Sequence, residues 1–459
     1  MVFNRKKTEN LSVRDLTTGN IYSQIIGFAL PVFFSQLFQQ LYNTADSLIV
    51  GRFLGTEALA AVSSSGMLIF LMTSFFEGTA MGAGVVISRY FGARNHAKVS
   101  RAIQTGLAFG LLAGVILTVC GVLFTPTLLV WMKTDPQVLP GAIEYFRCYF
   151  AGALAVVLYN ASRSIMTALG DSRRPLYYLV FSSLVNIGLD ILFVGVFHWG
   201  VWSAAVATVI SQGVSAALCL IRLSGRKFAY PVKLRQIRMH MDILREILRY
   251  GLPSGVQNSV IALANVIVQT QVNSFGMLAM AAFGSHSKIE GFAFLPITSF
   301  CMAITTFTSQ NLGAREYERA KTGARFGIFG GMVMAELVGI LVYIFSPRLI
   351  GLFDSTPGVI EYGVTQERTV ALFYCLLAYS HCTAAILRGA GKAFVPMTIM
   401  LGVWCVIRIS YILLVMHFFG QIQFVYWAYP VTWSISSVLY FIYMLRSDWV
   451  HGFERGTPA

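Results

Sequence analysis

Ile87–Lys98 reads ISRYFGARNHAK, and Thr308–Arg319 reads TSQNLGAREYER. Gly92-Ala93-Arg94 and Gly313-Ala314-Arg315 coincide at an offset of 221 (315 minus 94), and the same offset carries Gly170 to Gly391 and Pro175 to Pro396. Leu30-Pro31 returns as Leu252-Pro253, one residue out of step. Agreement at several ordered places marks an internal duplication. Around these landmarks the chain is a succession of long apolar runs. One bilayer-spanning helix needs about 20 mostly apolar residues. The sequence offers about twelve such runs, at 22–50, 58–87, 102–130, 139–168, 176–197, 201–221, 251–273, 279–307, 324–346, 359–387, 394–417 and 423–445. Only 12% of the 459 residues are charged and 56% are hydrophobic, whereas a soluble domain has about 25% charged residues. No soluble-sized polar block interrupts the pattern. The fold class predicted is an all-α membrane protein of about twelve transmembrane helices in two pseudo-symmetric six-helix lobes. An even number of spans per copy inserts both copies the same way round, which makes the repeat a parallel one, related by an axis along the membrane normal.

The net charge of +14 invites a nucleic-acid reading that the positions of the charges argue against. Basic residues crowd alternate loops: Arg5, Lys6, Lys7 and Arg14; Arg89, Arg94, Lys98 and Arg101; Arg173 and Arg174; Arg226, Lys227, Lys233, Arg235, Arg238 and Arg245; Arg315, Arg319, Lys321 and Arg325; Arg388 and Lys392; Arg446 and Arg455. The opposite loops hold only Arg52, Lys133 and Arg348. Such asymmetry is the positive-inside rule and places both termini in the cytoplasm. The surplus orients the chain and meets anionic lipid; it is no nucleic-acid footprint. The first twenty residues are polar and show no signal-peptide pattern, so the first span is expected to stay in the mature protein. The domain boundaries predicted are 1–221, a basic linker 222–249, and 250–459. Within the linker, Gln236–Tyr250 (QIRMHMDILREILRY) spaces apolar residues helically and predicts a short amphipathic helix on the cytoplasmic face. Two lobes flanking a cavity would hold substrate near mid-membrane.

Charges inside spans need a reason, since each costs roughly 2.5–3.5 kcal/mol at the bilayer centre. Asp46 ends the polar face Gln39, Tyr42, Asp46 of the first span; Ser182, Asn186 and Asp190 share one face of the fifth; Thr208 and Gln212 are one turn apart on the sixth. By depth Asp46, Asp190 and Thr208 fall in the outer half of the membrane within one lobe, where three stripes would line a pocket. The competing reading is hydrogen-bond glue between helices. Dry surroundings disfavour the charged form of a carboxylate, and two neighbouring acids disfavour each other's ionisation, so such a pair can load and release a proton. The same oxygens, with the Asn186 amide and the Thr208 hydroxyl, equally suit Na⁺, a hard cation. Glu77 and Asn160 are further cavity candidates, Glu77 dividing between cavity lining and a structural partner. The second lobe lacks counterparts of the paired acids; it carries Lys288, Glu290, Glu336 and Arg408 near mid-span, either as structural ion pairs or as contacts for substrate or coupling. Arg163 can snorkel, and His381 reads as an interior histidine rather than a relay. The seven cysteines lie in spans without a CxxC pair, which predicts neither a disulfide framework nor a zinc site.

The leucine-proline start of each half, NTADSLIVGRFLG, ISRYFGARN with its TSQNLGARE echo, ALGDSRRP and VNIGLDILF together resemble the multidrug and toxic compound extrusion (MATE) family, bacterial multidrug-export branch, from about residue 20 to 445. The resemblance implies a V-shaped pair of six-helix lobes rocking between inward-open and outward-open states. It implies secondary antiport of organic, often cationic, compounds out of a bacterial or archaeal cell membrane against inward H⁺ or Na⁺, by a monomer, with no cofactor. Its N-lobe cation site matches Asp46, Asn186, Asp190 and Thr208. Some branches carry an acid in the first helix of the second lobe; SGVQNSVIALANVIVQTQ has none, which argues against that branch. Pro31 is the expected bend point of the first span. A lipid-linked precursor flippase of the same architecture is the alternative, and it would favour a strongly cationic cavity. GxxxxGK[ST], HExxH and GxSxG are absent, so no enzyme and no nucleotide-driven pump is expected.

Overall fold

The computed structural model describes residues 14–131, 134–233 and 237–453. Arg5, Lys6, Lys7, Lys133, Arg235, Gln236 and Arg455 lie outside them. Helices follow one another in the order α1 (Ile21–Gly55), α2 (56–92), α3 (His96–Trp131), α4 (the bent pair Leu139–Ala151 and Ala153–Ala168, 49°), α5 (Arg173–Val196), α6 (Trp202–Ser224), α7 (Met241–Asn273), α8 (Met277–Gly313), α9 (Tyr317–Gly351), α10 (Pro357–Gly389), α11 (Phe394–Phe418) and α12 (Ile422–Arg446). Ten of these, and α4 as an eleventh, are long and apolar enough to cross a membrane. The remaining expected span, 58–87, falls within α2. The surface is built for lipid. In α3 the mean hydropathy reaches 2.5 where only 33% of the residues are buried, and Leu112, Val115, Ile116, Val119 and Leu123 all point outward. An apolar stripe of that length left uncovered is stable only with hydrocarbon as its solvent.

The duplication is written into the backbone. Positive φ recurs at Gly55 and Gly276, at Arg94 and Arg315, and at Gly170 and Gly391, each pair 221 residues apart. Left-handed geometry is costly for any residue with a Cβ, so its return at two arginines is a strong sign of one ancestral turn. Ser88 Oγ donates to Ala168 O at 3.0 Å, and Ser309 Oγ to Gly389 O at 2.7 Å, again with both ends shifted by 221.

The chain packs into two units. The first contains Phe34–Gly255 with Arg14 and Asp15; the second contains Leu16–Phe33 and the chain from Val256 onward. In the first unit Val50, Leu117, Leu129, Phe146, Phe150, Val194 and Ala204 form a core drawn from α1, α3, α4, α5 and α6. Glycines let backbones approach: an added Cβ would meet the Phe150 ring at Gly121, the Val209 side chain at Gly152, and the backbone of Gly255 and Gly251 at Gly78 and Gly82. The last two make a pair of small-xxx-small motifs, Gly78/Gly82 on α2 against Gly251/Gly255 on α7. The expected short amphipathic helix is instead the first turns of α7, which begins at Met241 and runs unbroken through Pro253. Its polar face is clamped: the Tyr90 hydroxyl donates to both Glu246 carboxylate oxygens at 2.7 and 2.8 Å, and Arg101 pairs with Asp242 at 3.5 Å.

In the second unit the segment before α1 is held by the α8–α9 turn. Gln310 Oε1 accepts from Leu16 N at 3.0 Å, and Arg319 donates to the carbonyls of Leu16, Thr18 and Gly19. Thus α1 begins in the second unit and passes into the first just beyond Pro31, while α7 passes the other way just beyond Pro253.

Candidate functional site

In the first unit α1, α5 and α6 bring their polar stripes together. Asp46 is 8% exposed; Asp190 and Asn186 are fully buried. The Asp46 and Asp190 carboxylates stand close enough to act directly on one another. Oδ1 of Asp46, both oxygens of Asp190 and both amide atoms of Asn186 meet no hydrogen-bond partner among the described residues. Asp190 closes the α-helical part of α5, and the next residues, Ile191–Val196, widen into π-helical turns, a feature frequent at functional sites. Gln212 Nε2 donates to Tyr42 Oη at 3.2 Å, joining α6 to α1, and Gln39 bonds the same phenol. Ser215 Oγ donates to Ser182 Oγ at 2.5 Å, joining α6 to α5. Thr208 spends its hydroxyl proton on Ala204 O at 3.1 Å, which leaves its oxygen lone pairs as acceptors.

Sequence reasoning missed two phenols. Tyr145 on α4 stands close enough to interact electrostatically with Asp46 and Asp190, and Tyr149, one turn on, with Tyr42 and Glu77. Their one-turn spacing in EYFRCYF was the available signal. Glu77 and Asn160 do come together, lining an apolar-walled pocket with Phe76, Phe109 and Val156 between α2, α3 and α4. Asn160 Oδ1 accepts from Arg163 Nη2 at 3.2 Å.

Of the four mid-span charges of the second unit, Glu290 and Arg408 act on each other, while Lys288 and Glu336 turn to other partners. Lys288 lies over the Phe353 ring at 5.4 Å, and Glu336 accepts the Cys375 amide at 3.0 Å. Arg408 bonds Thr432 Oγ1 at 2.9 Å between the rings of Trp404 and Tyr429, and of the four only Glu290 acts electrostatically on it. Lys288 and Glu290, two apart on one helix, point to different neighbours, as their spacing requires. The partners missed are His286 and Glu367, whose Nδ1 and Oε1 are 2.9 Å apart. His381 sits edge-on to Phe294 and Trp404.

A buried amide with neither end satisfied costs about 1–3 kcal/mol. Asn186→Leu is therefore expected to hold or raise the melting temperature of the purified protein while lowering transport at least about tenfold, equivalent to about 1.4 kcal/mol. Loss of stability with transport unchanged would assign Asn186 to packing.

The fold and this site define the class: a duplicated, many-helix membrane protein whose first unit encloses a pair of facing acids. The MatE family profile matches residues 31–192 and again 253–414, an offset of 222, and the chain belongs to the MatE family. It is 28% identical over 447 residues to "Probable multidrug resistance protein YoeA" of Bacillus subtilis, covering 95% of this chain and 96% of that one. A solved MOP-superfamily transporter from Pyrococcus furiosus, reported as having a binding pocket of reversed polarity, superposes with a TM-score of 0.88 at 25% identity, over 96% of this chain and 97% of that one. An outward-facing multidrug resistance MATE family transporter gives the same TM-score of 0.88 and identity of 25%, over 96% and 98%.

Proposed function

We propose that this chain is a secondary active transporter that exports organic compounds, many of them cationic, in exchange for H⁺ or Na⁺ moving inward. The observation that carries the reading is the closeness of Asp46 and Asp190, both buried, with Oδ1 of Asp46 and both oxygens of Asp190 meeting no hydrogen-bond donor among the described residues. Two carboxylates so placed repel unless a proton or a cation lies between them. Asn186, Thr208 and Gln212 add neutral oxygens of the kind Na⁺ takes. Loading the pair with a cation removes negative charge from the site, which weakens its hold on a cationic substrate; unloading restores it. The resistance names of the relatives, and a transporter among the superposing structures, support export rather than bond-making chemistry. Glu77 and Asn160 would meet substrate, and Pro31, where α1 changes unit, would serve as the bend. The crowding of arginine and lysine on alternate loops supports a cell-membrane protein with both termini cytoplasmic.

Proteoliposomes loaded with ethidium, given an H⁺ gradient alone and then a Na⁺ gradient alone, test the reading. Dye movement is expected with one gradient and not without either. Movement that is equally fast with both collapsed overturns it.

A further inference from the structure

The second unit buries an ionisable pair for which the site described above has no use. His286 on α8 is 1% exposed and Glu367 on α10 is 0% exposed. Nδ1 of His286 and Oε1 of Glu367 are 2.9 Å apart, while Oε2 of Glu367 meets no partner among the described residues. On the other side of the ring, His286 Nε2 lies 3.8 Å from Oε2 of Glu290, whose side chain is 34% exposed. A half-exposed acid, an imidazole and a fully enclosed acid therefore stand in a row. Two further α10 groups near Glu367, the Tyr374 hydroxyl and the Gln366 amide, also meet no hydrogen-bond partner among the described residues. An ion pair kept for packing is stable when its remaining lone pairs are satisfied; here one carboxylate oxygen and its neighbours are not.

Tyr374 on α10 is within electrostatic reach of Glu367 and Glu290; Arg408 on α11 and Tyr429 on α12 are within reach of Glu290. Lys288 of α8 turns to Phe353, Glu336 of α9 to the Cys375 amide, and Arg368 of α10 to the Tyr343 ring. The α7 portion of this unit, 256–273, has no titratable side chain. Arg408 is thus the cation that bears on the outer end of the row, while its inner end faces the imidazole and the Tyr374 phenol. Imidazole has two distinct nitrogens and passes protons near neutral pH.

We propose that Glu290, His286 and Glu367 form a second proton-carrying site, in which Glu290 takes a proton from solvent and Glu367 stores it. The step is two transfers. The Glu290 carboxyl gives its proton to Nε2, and Nδ1 gives its own to Oε1 of Glu367; only N–H and O–H bonds form and break. The row gains one positive charge, the proton captured at Glu290. The first transfer requires the Glu290 side chain to close the 3.8 Å gap to Nε2. The inference rests on the proton form of the proposed antiport and adds a site to it.

The test counts protons. In proteoliposomes with a trapped pH dye and ethidium as substrate, the wild type is expected to exchange about two protons per ethidium, and Glu367→Gln about one. An unchanged ratio in folded Glu367→Gln overturns the second site while leaving the Asp46–Asp190 pair untouched. A wild type that moves ethidium without protons overturns it together with the proton form of antiport. Where the single variant fails to fold, the double variant His286→Phe/Glu367→Leu replaces both partners with apolar groups, a change that is often neutral for stability, and is expected to give the lower ratio. Nitrogen-15 NMR of histidine-labelled protein needs no substrate: the His286 ring is expected to change tautomer or charge between about pH 5 and about pH 9, and differently in Glu367→Gln. A ring signal that is constant over that range overturns the proposal.

Discussion

Asp190→Asn, and separately Asp46→Asn, are expected to abolish gradient-driven ethidium export, by about a hundredfold or more, about 2.7 kcal/mol at the rate-limiting step. Neither change is expected to lower the yield or the melting temperature. The two halves of that expectation come from one geometry. Asparagine has the volume of aspartate and keeps an oxygen in place, but it can neither take up a proton nor neutralise a cation. Stability does not fall, because both Asp190 oxygens and Oδ1 of Asp46 make no hydrogen bond to the described residues that the substitution could break. Removing one of two facing carboxylates also removes a repulsion. Efflux from everted vesicles, read beside thermal unfolding of the purified variants, separates this outcome from simple misfolding. Full efflux in both variants would show that the charge is carried elsewhere.

The paired acids were legible in the sequence because a carboxylate within an apolar run is expensive, so Asp46 and Asp190 announced themselves and helical spacing supplied their companions. The repeat was legible for a related reason: the backbone turns at Arg94 and Arg315 depend on a short local motif that survives while the apolar residues around it drift. Tyr145 and Tyr149 were not legible, since tyrosine is ordinary in membrane spans and only the fold of α4 shows that these two approach the acids. His286 and Glu367 are 81 residues apart in sequence, and nothing in either local context names the other. Lys288 and Glu336 were grouped with Glu290 and Arg408 by depth, a coordinate that fixes height in the membrane but not the face of the helix. Gln236–Tyr250 was read as a separate short helix because its apolar residues are helically spaced and charges interrupt them. Yet no residue between Met241 and Gly251 breaks a helix, and Pro253 is accommodated inside α7 as prolines in membrane helices often are. Membership of Leu16–Phe33, the start of α1 and the segment before it, in the second unit had no local signature either; the segment's part of it follows from contacts made by Gln310 and Arg319.

Gly78→Leu and Gly82→Leu are expected to remove the folded protein altogether. Packing in a membrane gains little from hiding apolar surface, because lipid is as apolar as leucine, so helices associate through close contact between small residues. Here α2 and α7 touch backbone to backbone. A Cβ built on Gly82 would lie 2.5 Å from Gly251 Cα, 2.5 Å from Gly251 N and 2.5 Å from the Ile247 carbonyl oxygen, and one on Gly78 would strike the backbone of Gly255. None of these atoms belongs to a side chain that can rotate away, so even one methyl requires a helix to move. Overpacking a tight core costs about 1–3 kcal/mol, occasionally more, and a whole isobutyl group against main chain belongs at the upper end. Gly82→Ala is expected to lower the yield of monodisperse protein several-fold, by about 1–2 kcal/mol, and the leucine variants to leave none. Gly284→Ala is the control, because a Cβ there meets nothing within 4 Å, and alanine favours helix by about 1 kcal/mol. Its yield is expected to match or exceed wild type. Fluorescence-detected size exclusion of tagged variants reads all four at once. Wild-type profiles for Gly78→Leu and Gly82→Leu would mean that α2 and α7 do not cross at these glycines, and the first unit would then have to be held together by the core that α1, α3, α4, α5 and α6 share.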